Sequence, residues 1–198
     1  MKKLKVRLTF TEGVLGTSPN NEDIYIDYIG SKAPNAATLE EELESLGLNT
    51  VAEKGMTVFP RMDDGVTPFL YDYHIKGYFK DTCGGLKKAD GYESGGLKAH
   101  KKEIDKLIFV KPRCIAFQNY GEITRCQRPL RASTPQGERV SLACSEEIPA
   151  GAVVEFEIVM FRDGLEKLVR EWLDYGEFSG IGQWRNSGKG RFTWEEIT

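Results

Sequence analysis

The sequence has no excess of positive charge: its formal net charge is −3. That excludes a globally basic nucleic-acid binder, so any hold on a polyanion must come from a local patch. No apolar run approaches the length of a membrane span. The opening Met1-Lys2-Lys3-Leu4-Lys5-Val6 has basic residues but lacks the apolar stretch of a signal peptide. Histidine is scarce, His74 and His100 being the two, which leaves little for imidazole acid–base chemistry. The four cysteines, Cys83, Cys114, Cys126 and Cys144, form no CxxC pair, and a chain of 198 residues buries enough core without disulfides. The expectation is a reduced cytoplasmic protein with no cofactor, no metal and no membrane partner. Internal repeats and low-complexity tracts are also missing.

What the chain does have is a glycine-rich basic stretch near its C-terminal end, residues 180–191. Gly180, Gly182, Gly188 and Gly190 alternate there with Trp184, Arg185, Asn186, Lys189 and Arg191. Glycine lets a backbone approach another atom closely, and such a loop can aim several N–H groups at one phosphate. Arg185, Lys189 and Arg191 add charge, and Trp184 adds a flat face for a base. The same composition also suits a tight turn with a solvated basic rim.

Residues 3–11 alternate strictly, with Leu4, Val6, Leu8 and Phe10 on one side and Lys3, Lys5, Arg7 and Thr9 on the other, which predicts a half-buried strand with a cationic outer face. Residues 17–55 read as an inserted segment with a short acidic helix opened by Thr38 and Glu41 as a capping box. Residues 56–60 and 68–72 read as a hairpin turning at Asp64-Gly65. Residues 73–83 form a helix with Asp72 as N-cap, Ile75 and Phe79 on one face, and Lys76 and Lys80 beside them. Gly77 inside it costs roughly 1 kcal/mol relative to Ala, so another chain or a ligand is expected to pass close. Residues 84–106 read as a flexible basic insertion, either a disordered surface loop or a mobile clamp over nucleic acid.

Residues 107–117 form a strand interrupted at Pro112. Residues 123–145 form a hairpin with an arginine-lined arm, Arg125, Arg128 and Arg131. Residues 152–161 form the most apolar, hence central, strand, and Leu165, Leu168, Val169, Trp172 and Leu173 mark the last helix, with Gly176 as its C-cap. Without the insertions the order is strand, helix, strand, strand, helix, strand. That is an α+β, ferredoxin-like (RRM-like) arrangement in one domain over residues 1–198, ending in the glycine-rich loop.

Three stretches together resemble the RAMP superfamily of CRISPR-associated RNA-binding proteins, especially the repeated backbone subunits of type III effector complexes. They are Leu8-Thr-Phe-Thr-Glu-Gly-Val-Leu-Gly16, Tyr71-Asp-Tyr-His-Ile-Lys-Gly-Tyr-Phe-Lys80, in which Ile75, Lys76 and Gly77 stand in the family's Leu-Lys-Gly segment, and the glycine-rich stretch. The chain also resembles proteins carried by temperate phages of Gram-positive bacteria. The resemblance implies a protein that holds the backbone of single-stranded RNA, with self-association or other RAMP-like subunits as further partners. It would place Lys76 and Lys80 on phosphates, cradle the strand with Gly182, Gly188, Gly190, Arg185 and Lys189, and extend the track along Arg125, Arg128 and Arg131. The acidic residue of the target-cleaving subunits has no counterpart at Glu53, Lys54 and Gly55. Two other readings stay open: a phage anti-defence protein that mimics a RAMP subunit or sequesters a nucleotide signal, and a metal-independent endoribonuclease using His74.

Overall fold

Alternating burial defines the first strand, β1 (Lys2–Phe10), as its sequence requires: Leu4, Val6, Leu8 and Phe10 are buried and the residues between them face out. The computed structural model describes residues 1–20, 55–134 and 137–198, with residues 130–134 and 137–142 described by backbone alone. The expected acidic helix after Thr38 lies outside the described residues.

β1 pairs antiparallel with β10 (Val153–Met160) on one side and β11 (Phe192–Glu196) on the other. β10 is central, as its apolar run predicts, because β6 (Ile108–Lys111) and β7 (Cys114–Gln118) share its far edge. Between the pairs Lys111↔Glu157 and Phe117↔Val154, residues 112–116 face only Glu155 and Phe156. The surplus is a bulge at Pro112, whose missing N–H cannot extend the ladder. β5 (Phe69–Tyr71) closes the sheet on β7.

One face of this sheet is covered by helices α1 (Asp72–Leu86) and α3 (Leu165–Asp174). Ile75, Tyr78, Phe79, Cys83 and Leu86 recur at helical spacing along α1, and Trp172 of α3 is fully buried against them. Burial of a side chain of this kind contributes about 1.5–3 kcal/mol.

The other face is charge-balanced. Arg7 donates to Glu155 and Glu195, each at 2.7 Å, and Lys3 pairs with Glu157 at 3.2 Å. Exposed pairs of this kind add little stability. They do cancel the cationic stripe that the first strand presents in isolation.

A second sheet joins β2 (Val14–Leu15), β9 (Gly137–Ile148), β4 (Thr57–Val58) and β3 (Ser18–Pro19), and β8 (Thr124–Thr134) pairs along β9 as a long ribbon. The expected hairpin at 56–72 survives only as a bridge between Arg61 and Pro68, since its two arms enter different sheets. The basic segment after α1 carries regular structure: a 3-10 turn at Glu93–Gly96 and helix α2 (His100–Leu107). Leu97 and Ile104 anchor it in the core, and the buried Ser94 receives the indole N–H of Trp172 at 2.8 Å. Among the described residues no helix is long and apolar enough to cross a membrane.

Candidate functional site

Helix α1 begins at Asp72 itself, so its N-cap is Tyr71, one residue before the expected cap. The backbone N–H of Tyr71 donates to His74 Nδ1 at 3.2 Å, satisfying a group that the first turn leaves unpaired. With Nδ1 accepting, the proton of the neutral ring sits on Nε2, which donates to Thr17 Oγ1 at 3.1 Å. Burial pushes the His74 pKa below its ordinary value, keeping the ring neutral. A ring engaged at both nitrogens has no lone pair free for general-base chemistry.

The same helix does not stop at Cys83 but runs through Gly84 and Gly85 to Leu86. Its outer face, Tyr73, Gly77, Lys80, Asp81 and Gly84, with Lys88 just past its end, forms one wall of an open cleft of about 940 Å³. The opposite wall is the chain after α3: Tyr175, Ser179, Ile181, Gly182 and Arg185. His100 and Lys101 of α2 also line the cleft. Gly77 is exposed, and a Cβ there would meet nothing within 4 Å, so no described segment of this chain explains it.

The cleft wall holds four cations, Lys80, Lys88, Lys101 and Arg185, against one carboxylate, Asp81. Arg185 reaches across to Asp81 at 2.8 Å, and Lys80 pairs with Asp105 of α2 at 2.5 Å. Two of the four cations are thus paired with carboxylates, and the lining keeps a surplus of positive charge. His100 Nε2 is buried without a partner, and burial followed by the charges of Lys87 and Lys101 lowers its pKa.

The glycine-rich segment is a lobe closed on itself. Ile181 N–H donates to Gly190 O at 2.9 Å, and Gly190 N–H donates to Gly13 O at 2.8 Å. A Cβ on Gly180 would collide with the backbone at Lys189 and Gly190, and one on Gly190, whose φ is +73°, with the backbone of Ile181. These two glycines serve chain crossing. Gly182 and Gly188 also take positive φ, and Gly182 lies against the backbone of Leu15.

The remaining sequence candidates fall in different places. Lys76 does not line the cleft: its ammonium donates to Asp105 O at 3.1 Å, lies 5.0 Å from the Phe109 ring centroid, and its side chain is 15% exposed. Lys189 pairs with Glu147 at 2.5 Å, and the Arg191 guanidinium lies against Gly188 with Nε buried. Arg128 is buried, donating to Ser145 Oγ at 3.2 Å and Gln183 Oε1 at 2.9 Å. Arg125 is exposed on β8 opposite Glu146, and Arg131 stands opposite Val140 on the ribbon. Trp184, Asn186 and Gln183 border a second pocket of about 390 Å³.

No family model matches the chain, and no curated protein matches it. Solved structures do resemble the chain. A chain of the type III-B Cmr-beta, in a cryo-EM structure bound to cognate target RNA, superposes with a TM-score of 0.53 at 10% identity, covering 100% of this chain and 60% of that one. Thermus thermophilus Cas6 superposes with a TM-score of 0.39 at 12% identity, covering 98% of this chain and 55% of that one. The chain thus spans less than two thirds of either structure's chain, and the Cmr-beta likeness shows a shared fold.

Sequence reasoning set Lys88 and Lys101 in the flexible basic segment and did not place them beside Lys80. The signal for Lys88 was present, because Lys80, Gly84 and Lys88 continue one helical face at intervals of four. Reading Gly84-Gly85 as a helix stop hid it. Among the described residues no group of His, Cys, Asp and Glu is placed to hold a metal ion.

Proposed function

We propose that the chain is a RAMP-like protein that holds the backbone of a single-stranded RNA in the cleft between α1 and the segment 175–185. The observation that carries this reading is the cleft itself: four cations on its wall, an exposed glycine on its helix face, and a loop lobe opposite. The strand order β11-β1-β10-β6/β7, with α1 and α3 on one face, agrees with the ferredoxin-like arrangement. The Cmr-beta likeness agrees with a fold used in RNA complexes. Open RRM-like sheets bind RNA on their exposed face, but here that face is occupied by Lys–Glu and Arg–Glu pairs, so the helix side is the binding side.

The test is copurification. Protein purified at low salt should carry RNA, seen as a raised absorbance ratio that RNase removes and DNase does not. Nucleic-acid-free protein that also fails to bind added single-stranded RNA would overturn the reading.

A second reading rests on His100, whose Nε2 lacks a partner at the cleft and whose lowered pKa leaves it neutral and able to accept a proton. RNA left intact after incubation in EDTA would assign the cleft to holding alone. Cleavage lost in His100→Ala would assign it to cutting.

A further inference from the structure

Arg128 is a buried cation whose partners among the described residues are all neutral. It is 5% exposed, donates to the hydroxyl of Ser145 and the side-chain oxygen of Gln183, and lies 5.1 Å from the centroid of the Trp184 ring. Among the described residues no carboxylate lies within ion-pairing distance of it. Buried guanidinium groups ordinarily keep an anionic partner, because desolvation is otherwise uncompensated. Arg128 instead borders a pocket of about 390 Å³ with Gly182, Gln183, Trp184, Arg185 and Asn186.

Trp184 is the second unusual feature. Its φ is +55°, a region that bulky side chains seldom occupy, and the residue is 39% exposed despite its size. The other two tryptophans are engaged: Trp172 is fully buried, and Trp194 donates to Asp174 while Arg170 covers its ring. Arg128 packs on Trp184, and the exposed part of the indole borders the pocket beside the amide of Asn186. Gly182 and Arg185 line both this pocket and the main cleft, so the two adjoin.

We propose that the Trp184 pocket is a nucleotide subsite. One base of the bound strand stacks on the indole, and its phosphate supplies the anion that Arg128 lacks among the described residues. This rests on the RNA-binding reading above and adds to it a position where a base, and not only the backbone, is held. Stacking on an indole tolerates any base, so the subsite contributes affinity without strict sequence preference.

The experiment compares an oligoadenylate with an abasic ribose-phosphate oligomer of equal length, by competition against a labelled single-stranded RNA. The wild-type protein should bind the oligoadenylate about tenfold more tightly. Trp184→Ala should bind both alike, and Trp184→Phe should recover most of the preference. Thermal unfolding checks that each variant folds. Should Trp184→Ala fail to fold, the tryptophan emission of wild type minus that of Trp184→Phe must be quenched by oligoadenylate and not by the abasic oligomer. Equal binding of both oligomers by the wild type, or an unchanged preference in Trp184→Ala, overturns the subsite and leaves the backbone reading standing. Binding of neither oligomer overturns both.

Discussion

Both ring nitrogens of His74 are engaged in holding the start of α1, one accepting from Tyr71 and one donating to Thr17. His74→Ala should therefore lower stability by about 0.3–1.5 kcal/mol, the range for a helix-capping feature, as chemical denaturation would show. The sign of its pH dependence follows from the depressed pKa. The unfolded ring binds a proton near its ordinary value of about 6.5, above the value in the folded protein. Its stabilising contribution is then full above that pH and is lost as pH falls toward the lowered folded value. Unfolding midpoints between pH 8 and 5 (about the range where histidine titrates) should drop less steeply in His74→Gln than in wild type. Equal slopes would show that His74 is not the group responsible. The residue scale also shows where sequence reading runs out. Lys76 and Lys80 sit one helical turn apart and look equivalent in the sequence, yet only Lys80 lines the cleft. The difference lies in what the rest of the chain brings alongside, Asp105 and Phe109, and no spacing rule contains that.

Helix α1 carries both the core and the cleft, and its two faces were unequally legible. The apolar stripe from Ile75 to Leu86 follows from periodicity. The glycine face does not, because Gly84-Gly85 reads as a stop while Cys83 and Leu86 on the buried side keep the helix going. Gly77 separates fold from function at this scale. Gly77→Ala should raise stability by roughly 0.5–1 kcal/mol, since the site is helical and open. Gly77→Gln should weaken RNA binding by projecting into the groove, measured by fluorescence anisotropy. A Gln variant that binds as wild type would place the strand elsewhere. The outer face of β1 supplies the opposite control. Arg7→Gln removes a cation already shared between Glu155 and Glu195, and RNA affinity should stay within twofold, roughly the effect of one exposed surface pair. A tenfold loss would return the binding surface to the sheet.

At the scale of the molecule, the six elements of the main sheet and its covering helices were legible because each carries its own period: two for β1 and β10, near four for α1 and α3. Of the second sheet only the β8–β9 ribbon was, as the hairpin expected at 123–145. β2, β3 and β4 span two residues each and exist only through partners far away in sequence, such as Thr57 with Ser145. That sheet fixes the lobe: Lys189 is tied to Glu147, Gln183 to Arg128, and Gly190 to Gly13. The glycines of the lobe were read as phosphate ligands, whereas Gly180 and Gly190 are required where the chain crosses itself. The cations that line the cleft are Lys80, Lys88, Lys101 and Arg185. The most direct test is the salt dependence of binding to a labelled single-stranded RNA, in wild type and in Lys80→Ala/Arg185→Ala. With four cations on the cleft wall, the slope of log K against log salt should be about −2 to −3 for the wild type, and shallower by about 1.4 in the double variant. A slope near zero, or one that the double substitution leaves unchanged, would contradict a ribose-phosphate chain lying between α1 and the loop lobe.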